Sequence, residues 1–433
     1  MVAPLVAAFR LVLGLGATLA NVAQMNPNPD HNPDHRPLGQ GQPTGPLSGV
    51  RVLDLSSVIM GPLATQQLGD LGAEVIVVEA RRGDTNRYMG PGPLPGMSGV
   101  SMNIMRNKHS ICIDLKTEAG RSAFLRLAET VDVIITNLRP GPLGRLRLTY
   151  QDVCEVNPNL VFCQAHGYPS SGNQANDPAY DDIIQSASGV GDLFRRQGFE
   201  PSLLPTLVAD KVSGHAIANA VLAALYHRAT TGQGQQIEVP MIDVMRAFVL
   251  VEHTAGATPE PPLDSPGYKR ILTANRRPQP TADGWINVLP YTKDHYQSLF
   301  AIAGREHLND DPRIASAQSR IANSDSLYAE VATIWPDRTT EEWLEICREH
   351  GIPAAKAATL DDLVDELPVY EHPQAGAYRI VPPPVVFSAT PANVHRHAPT
   401  TGQDTRTVLA DLGYSDEELD DLATRGVIFH PES

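Results

Sequence analysis

From about residue 47 the apolar positions fall into short unbroken runs separated by segments of helical period. Val50-Arg51-Val52-Leu53-Asp54-Leu55 has the length of one buried strand. Pro62 to Leu71 follows as a helix with Leu63, Leu68 and Leu71 on one side, and Gly72 stops it. Glu74-Val75-Ile76-Val77-Val78-Glu79, β-branched through its middle, predicts the second strand. Further strands are expected at Ile111–Leu115, Val131–Thr136 and Leu160–Gln164, with Thr117 capping a helix over Glu118–Glu129. Strands that are apolar on both faces and joined by helices are parallel and covered on both sides. The order therefore predicts an α/β fold, a doubly wound parallel sheet of Rossmann-like type.

The pattern continues with a long Ala-rich helix over 211–229, a strand at Gln236–Val239 and a helix from Met241. Pro and Gly then thicken between Ala257 and Gly267, as in a linker. Trp285-Ile286-Asn287-Val288 and its helical neighbours predict a second, smaller α/β domain. Pro382-Pro383-Pro384 marks a return path, and Thr405 to Leu422 a polar-faced helix pair. The expected domains are an unstructured extension over 1–45, a large domain over 46–256, a linker over 257–269 and the small domain over 270–370. Residues 371–433 follow it. Residues 26–45 of the extension hold Asn, Pro, His, Asp and Gly with little to bury. Leu11 to Ala23 imitates a signal peptide, but its flank is poorly charged and a later start at Met25 is the simpler reading.

The formal charge of −15 disfavours nucleic acid as a partner, because affinity there comes from neutralised phosphates. Any anionic ligand must meet local basic residues. No run of 18 apolar residues exists, so no spanning helix and no membrane role is expected. Cys112, Cys154, Cys163 and Cys347 lack CxxC spacing. Neither a metal site nor a disulfide framework is indicated, and the thiols fit a reduced, cytoplasmic protein.

A βαβ opening invites a dinucleotide, but Ser56-Ser57-Val58-Ile59-Met60-Gly61-Pro62 carries no G-x-G-x-x-G, and Glu79 alone is weak support. Asp210 stands directly before the long apolar helix and is expected as its N-cap. Amides and dipole would hold a carboxylate there ionised, and an ionised carboxylate can serve as a nucleophile.

A set of short blocks in fixed order adds a family likeness. Pro46-Leu47-Ser48-Gly49-Val50-Arg51-Val52-Leu53-Asp54-Leu55, Gly83-Asp84-Thr85-Asn86-Arg87, Arg106-Asn107-Lys108-His109-Ser110-Ile111, Asn137-Leu138-Arg139-Pro140-Gly141, Pro178-Ala179-Tyr180-Asp181 and Thr231-Gly232-Gln233-Gly234-Gln235 are among them. In this order the chain resembles the class III CoA-transferases of CaiB/BaiF type, a family that includes formyl-CoA and carnitine CoA-transferases and 2-methylacyl-CoA racemases. The likeness runs from about residue 46 to 430.

The resemblance implies an acyl-CoA:carboxylate CoA-transferase. Asp210, in Val208-Ala209-Asp210-Lys211, would be the covalent nucleophile, forming a mixed anhydride and then an aspartyl-CoA thioester. Asp181 would be a second catalytic acid. Asn137, Leu138, Arg145 and Lys116 would contact CoA. Where the family has an arginine after strand two this chain has Ala80, and Arg81 would take its place. Ser57 and Ile59 replace a His and a Gln of the formyl-CoA members, and with Met60 imply a more apolar acyl pocket. CoA and acyl-CoA enter as substrates, with a carboxylic acid as acceptor; no bound cofactor is implied. The large domain would be completed by 371–433, and two ring-like chains would interlock as a homodimer.

Two rivals share the scaffold. A racemase would use Asp181 with a displaced His, but racemisation needs a base on each face of the α-carbon. The triplet here is Ala179-Tyr180-Asp181, and no His occurs in 145–160. His166 and His215 are nearby, and a lone His in such segments is more often structural. A non-catalytic CoA-binding protein has no need to keep Asp210, Asp181, Asn137 and Arg145 together.

Overall fold

A seven-stranded sheet in the order β12-β3-β2-β1-β4-β5-β6 organises the computed structural model, which describes residues 44–431. The extension expected over 1–45 lies, but for its last two residues, outside them. The strands are β1 (Arg51–Leu55), β2 (Glu74–Glu79), β3 (Lys108–Ile113), β4 (Val133–Thr136), β5 (Val161–His166) and β6 (Gln235–Pro240). All pairings among them are parallel. Beyond them come β7 (Gln279–Pro280), β8 (Trp285–Val288), β9 (Ala354–Lys356), β10 (Val369–His372), β11 (Gly376–Arg379) and β12 (Ile428–Phe429). β12 returns to the large sheet and runs antiparallel to β3, with Ile428 opposite Ile113.

Successive side chains of a strand point to opposite faces, and here the alternation divides two cores. Val52, Val75, Val133 and Val161 face the helices Met60–Asp70, Val208–Thr231 and Met241–His253. Leu53, Ile76, Ile134 and Phe162 face the helix Glu118–Ala128 and two C-terminal helices, Thr405–Asp411 and Asp416–Thr424. Each large side chain buried there contributes about 1.5–3 kcal/mol. A third cluster, from Ile286 to Ile352, packs Trp335 edge-on against Trp343 at 5.0 Å.

The third strand begins earlier than its apolar run suggests, at Lys108. This lysine is wholly buried, and its ammonium donates to Asp54 at 3.1 Å, Thr65 Oγ1 at 2.7 Å and the Pro62 carbonyl at 2.9 Å. Burial lowers its pKa. A buried charge survives only when paired and hydrogen-bonded, as here. Glu79 is likewise taken, by Arg87 and Ser110, and is not a free ribose ligand.

The strand order reverses at β1, which pairs with β2 on one side and β4 on the other. At such a switch point the loops after the two strands part and leave a crevice.

Candidate active site

Ser57 follows β1 and Asn137 follows β4, so the switch point brings them together. The Ser57 N–H donates to Asn137 Oδ1 at 3.0 Å, and Asn137 Nδ2 donates back to the Ser57 carbonyl at 2.7 Å. This pair of hydrogen bonds clips the two loops. The next residue, Val58, has φ of 69°, a conformation a β-branched residue adopts only under strain of about 1–3 kcal/mol. Asp84 holds it by accepting the Val58 N–H at 3.1 Å, while Asn86 donates to the Val58 carbonyl at 3.3 Å.

The clip borders a cavity of about 310 Å³ whose lining includes Ser57, Met60, Asn137, Leu138, His166 and Asp210. Four of these were expected at the site beside Asp210 itself. Ile59 is not among the lining residues; it is buried against Val77, Ile104 and Met105, and Val58 takes the place at the wall.

Asp210 is not the helix N-cap. The helix starts at Val208, its cap is Leu207, and Asp210 is the third helical residue. Its own N–H, one of the donors a helix start leaves without an internal partner, goes to Asp181 Oδ1 at 3.0 Å. Asp181 is 3% exposed, and its other oxygen accepts from Gln185 Nε2 at 2.6 Å. Gln185 is fixed in turn by the Leu204 N–H at 2.9 Å.

The expectation that Asp210 stays firmly ionised is also overturned. Burial, with the Asp181 charge adding to it, pushes its pKa up to about 7. Desolvation outweighs the helix dipole because the carboxyl is enclosed and no cation pairs with it among the described residues.

A second cavity of about 370 Å³ meets the first at Pro142, which lines both. Lys116, Arg121, Arg145 and Arg147 line it, with Glu118 as their acid. Glu118 is held by Arg147 and by Arg121 at 3.7 Å. Lys116 and Arg145 have no ion pair among the described residues. Arg81 lines neither cavity; its guanidinium lies 5.2 Å from the Phe429 ring centre. His215 bonds Gln67 Oε1 at 2.9 Å through Nδ1 and lies outside both linings.

The sequence passed over Val58 and treated His166 as structural. The left-handed backbone of Val58 leaves no trace in a residue type that rarely adopts it. His166 ends a strand that is apolar but for Gln164, and nothing in its neighbours signals a cavity. Among the described residues no cluster of three or more His, Cys, Asp or Glu is arranged to hold a metal, and no helix is long and apolar enough to cross a membrane.

Comparison with known proteins agrees along most of the chain. The model of CoA-transferase family III matches residues 47–405. A probable fatty acyl-CoA transferase, Rv3272 of Mycobacterium tuberculosis, is 33% identical over 85% of this chain and 98% of its own length. The succinate–glutarate CoA-transferase of Agrobacterium fabrum is 29% identical over 85% of this chain and 96% of its own. The crystal structure of a CAIB/BAIF family protein from Brucella suis superposes with a TM-score of 0.72 at 28% identity, covering 85% of this chain and all of that one. With a parallel sheet open at its switch point, an acid in the crevice and a family model spanning both, the chain belongs to CoA-transferase family III and is an enzyme of that class.

Proposed function

We propose that the enzyme moves CoA from an acyl thioester to a free carboxylate, with Asp210 as the covalent nucleophile. The observation that carries this reading is Asp210 itself: a carboxyl without a cation, in a cavity that abuts a basic groove. The CoA phosphates would lie along Lys116 and Arg145, which places the thioester at the Pro142 junction, toward Asp210. The Asp210 carboxylate attacks the acyl carbon and CoA thiolate leaves. Sulfur then attacks the aspartyl carbonyl of the mixed anhydride, the donor acid departs, and the acceptor reverses both steps. One thioester replaces another, so no external energy source is required. Each intermediate is hydrolysable, and the enclosed site limits water.

Asp181 positions the nucleophile by holding its main chain. Ser57 and Met60 border the acyl group, Leu138 and the Asn137–Ser57 clip shape the passage, and Arg81 meets CoA outside these two cavities. A cavity of about 310 Å³ is at the small end of the ligand-pocket range, roughly 300–1,000 Å³, which favours a short acyl group. The family relatives are named as transferases, which favours this reading over racemisation.

The same reading includes the division of the chain by linkers at 257–269 and within 371–433, a cytoplasmic setting and an interlocked homodimer. The helix Met241–His253 supports a partner surface, since Phe248, Leu250 and Val251 stand exposed on it.

The test is mass spectrometry after incubation with a donor panel (acetyl-, succinyl-, glutaryl- and palmitoyl-CoA) and hydroxylamine trapping. A hydroxamate on Asp210, absent in Asp210→Ala and strongest with a short donor, is the expected result. No adduct with any donor would remove the covalent mechanism.

A further inference from the structure

His166 ends β5 with its side chain buried, 1% exposed, and it lines the cavity that holds Asp210. Neither ring nitrogen has a hydrogen-bond partner of good geometry, although the Tyr168 main chain lies against the ring. A buried polar side chain without partners is rare, and at the wall of a cavity it calls for a ligand. One carboxylate stands near: Glu238 Oε1 on β6 lies 3.4 Å from Nε2, and its position is fixed by the Ser170 N–H at 2.5 Å. The charged groups that share the cavity from other elements are Asp210, Asp177 and Arg139, the last donating to the Asn176 carbonyl at 2.5 Å. A carboxylate 3.4 Å from the imidazole and a carboxyl that lines the same cavity are the groups a histidine needs to relay a proton from nucleophile to leaving group once substrate is bound.

Resting on the proposed transferase reading, we infer that His166 is a catalytic acid–base residue that carries the Asp210 proton to the CoA sulfur and back. The Asp210 carboxyl first gives its proton to the imidazole. Its oxygen then bonds the acyl carbon, the carbon–sulfur bond breaks with its electron pair on sulfur, and the imidazolium protonates that sulfur. In the return step the imidazole removes the S–H proton, sulfur bonds the aspartyl carbon, and the anhydride C–O bond breaks with its pair on the donor carboxylate. The imidazolium keeps the proton until the acceptor runs the sequence backwards. Burial lowers the His166 pKa while Glu238 opposes this, so the imidazole begins neutral and can take a proton. Asp210, with its pKa near 7, has one to give.

The experiment measures the single-turnover rate of Asp210 labelling in the full-length protein with succinyl-CoA, or with whichever panel donor labels fastest. His166→Gln keeps a hydrogen-bonding amide but cannot carry a proton, and it should lose about 100-fold or more in rate. Its affinity for free CoA, measured by calorimetry, should stay within about threefold, since the lost step is proton transfer and not binding. Free imidazole should restore His166→Ala, and labelling of the wild type should slow about twofold in D2O, as for proton transfer in the transition state. A His166→Gln protein that labels Asp210 at the wild-type rate overturns the inference. Should the variants not fold, the absence of a solvent isotope effect on the wild type does the same. If wild type labels with no donor at all, it is the transferase reading that fails, and the inference falls with it.

Discussion

The Asp181 carboxylate accepts the backbone N–H of Asp210 at 3.0 Å, so one acid anchors the main chain of another whose own carboxyl it makes harder to ionise. The hydrogen bond fixes where Asp210 stands, and the charge sets when it is ready to react.

Activity should follow that proton. Because the Asp210 pKa is near 7 and the relay starts from the protonated carboxyl, kcat/KM is expected to fall as pH rises through that value. Asp181→Asn keeps an oxygen for the Asp210 N–H but removes the repelling charge, so this limb should move to lower pH. A pH–rate profile of both proteins checks this, and an unmoved limb contradicts it.

Stability should show the opposite face of the same shift. The folded-state pKa of Asp210 lies above its ordinary value of 3.8, so the folded chain binds more protons than the unfolded one between the two values. Stability from this group is full below the ordinary pKa and is lost as pH rises toward 7. Asp210→Asn should therefore match wild type near pH 4 and exceed it at pH 8 by roughly 1–3 kcal/mol, allowing for residual solvent contact. Thermal unfolding of both proteins across that range reads the gap.

In the basic groove, Lys116→Ala and Arg145→Ala should each raise KM for the CoA substrate by about 3–30-fold with kcat nearly unchanged, because on the proposed reading they meet a part of the substrate that does not react. The defect should shrink in high salt, as screening removes the same attraction from wild type. Steady-state kinetics at two ionic strengths measures both effects.

Lys108→Met tests the buried ion pair. Removing the ammonium leaves the Asp54 carboxylate enclosed without a counter-charge, and the fold should lose about 3–5 kcal/mol. Denaturant unfolding gives the value; a loss under about 1 kcal/mol would mean that the pair adds little to the fold.

The large sheet was legible because parallel strands bury both faces and leave continuous apolar runs, as at Glu74–Glu79, where the expected and observed limits coincide. Its polar core was not. Nothing in a pattern of apolar residues says that Lys108 ends inside the protein, because what admits it is Asp54, 54 residues away in sequence. The family likeness brought Asp210, Asn137, Lys116 and Arg145 forward, and the structure sets the first two on one cavity and the last two on its neighbour. It could not give the state of Asp210. That depends on enclosure and on Asp181, which reaches it through a hydrogen bond between two separate helices. Ile59 and Met60 look alike in a sequence, and only the turn at Val58 decides which of them meets the cavity.

The antiparallel return of β12 onto β3 bears on how the chain comes to be folded during synthesis. The Gly402 N–H bonds Ser110 Oγ at 2.8 Å across 292 residues, and Leu409, Leu419 and Leu422 fill the sheet face left open by the earlier helices. A nascent chain still on the ribosome thus carries β1 to β6 with one apolar face covered only in part, by the helix Glu118–Ala128 and its neighbours. Contacts this distant close slowly, and until they do the exposed face is open to aggregation. The helices Thr405–Asp411 and Asp416–Thr424 thus finish covering a sheet begun far upstream, so closure of this core waits on residues made long after its first strands.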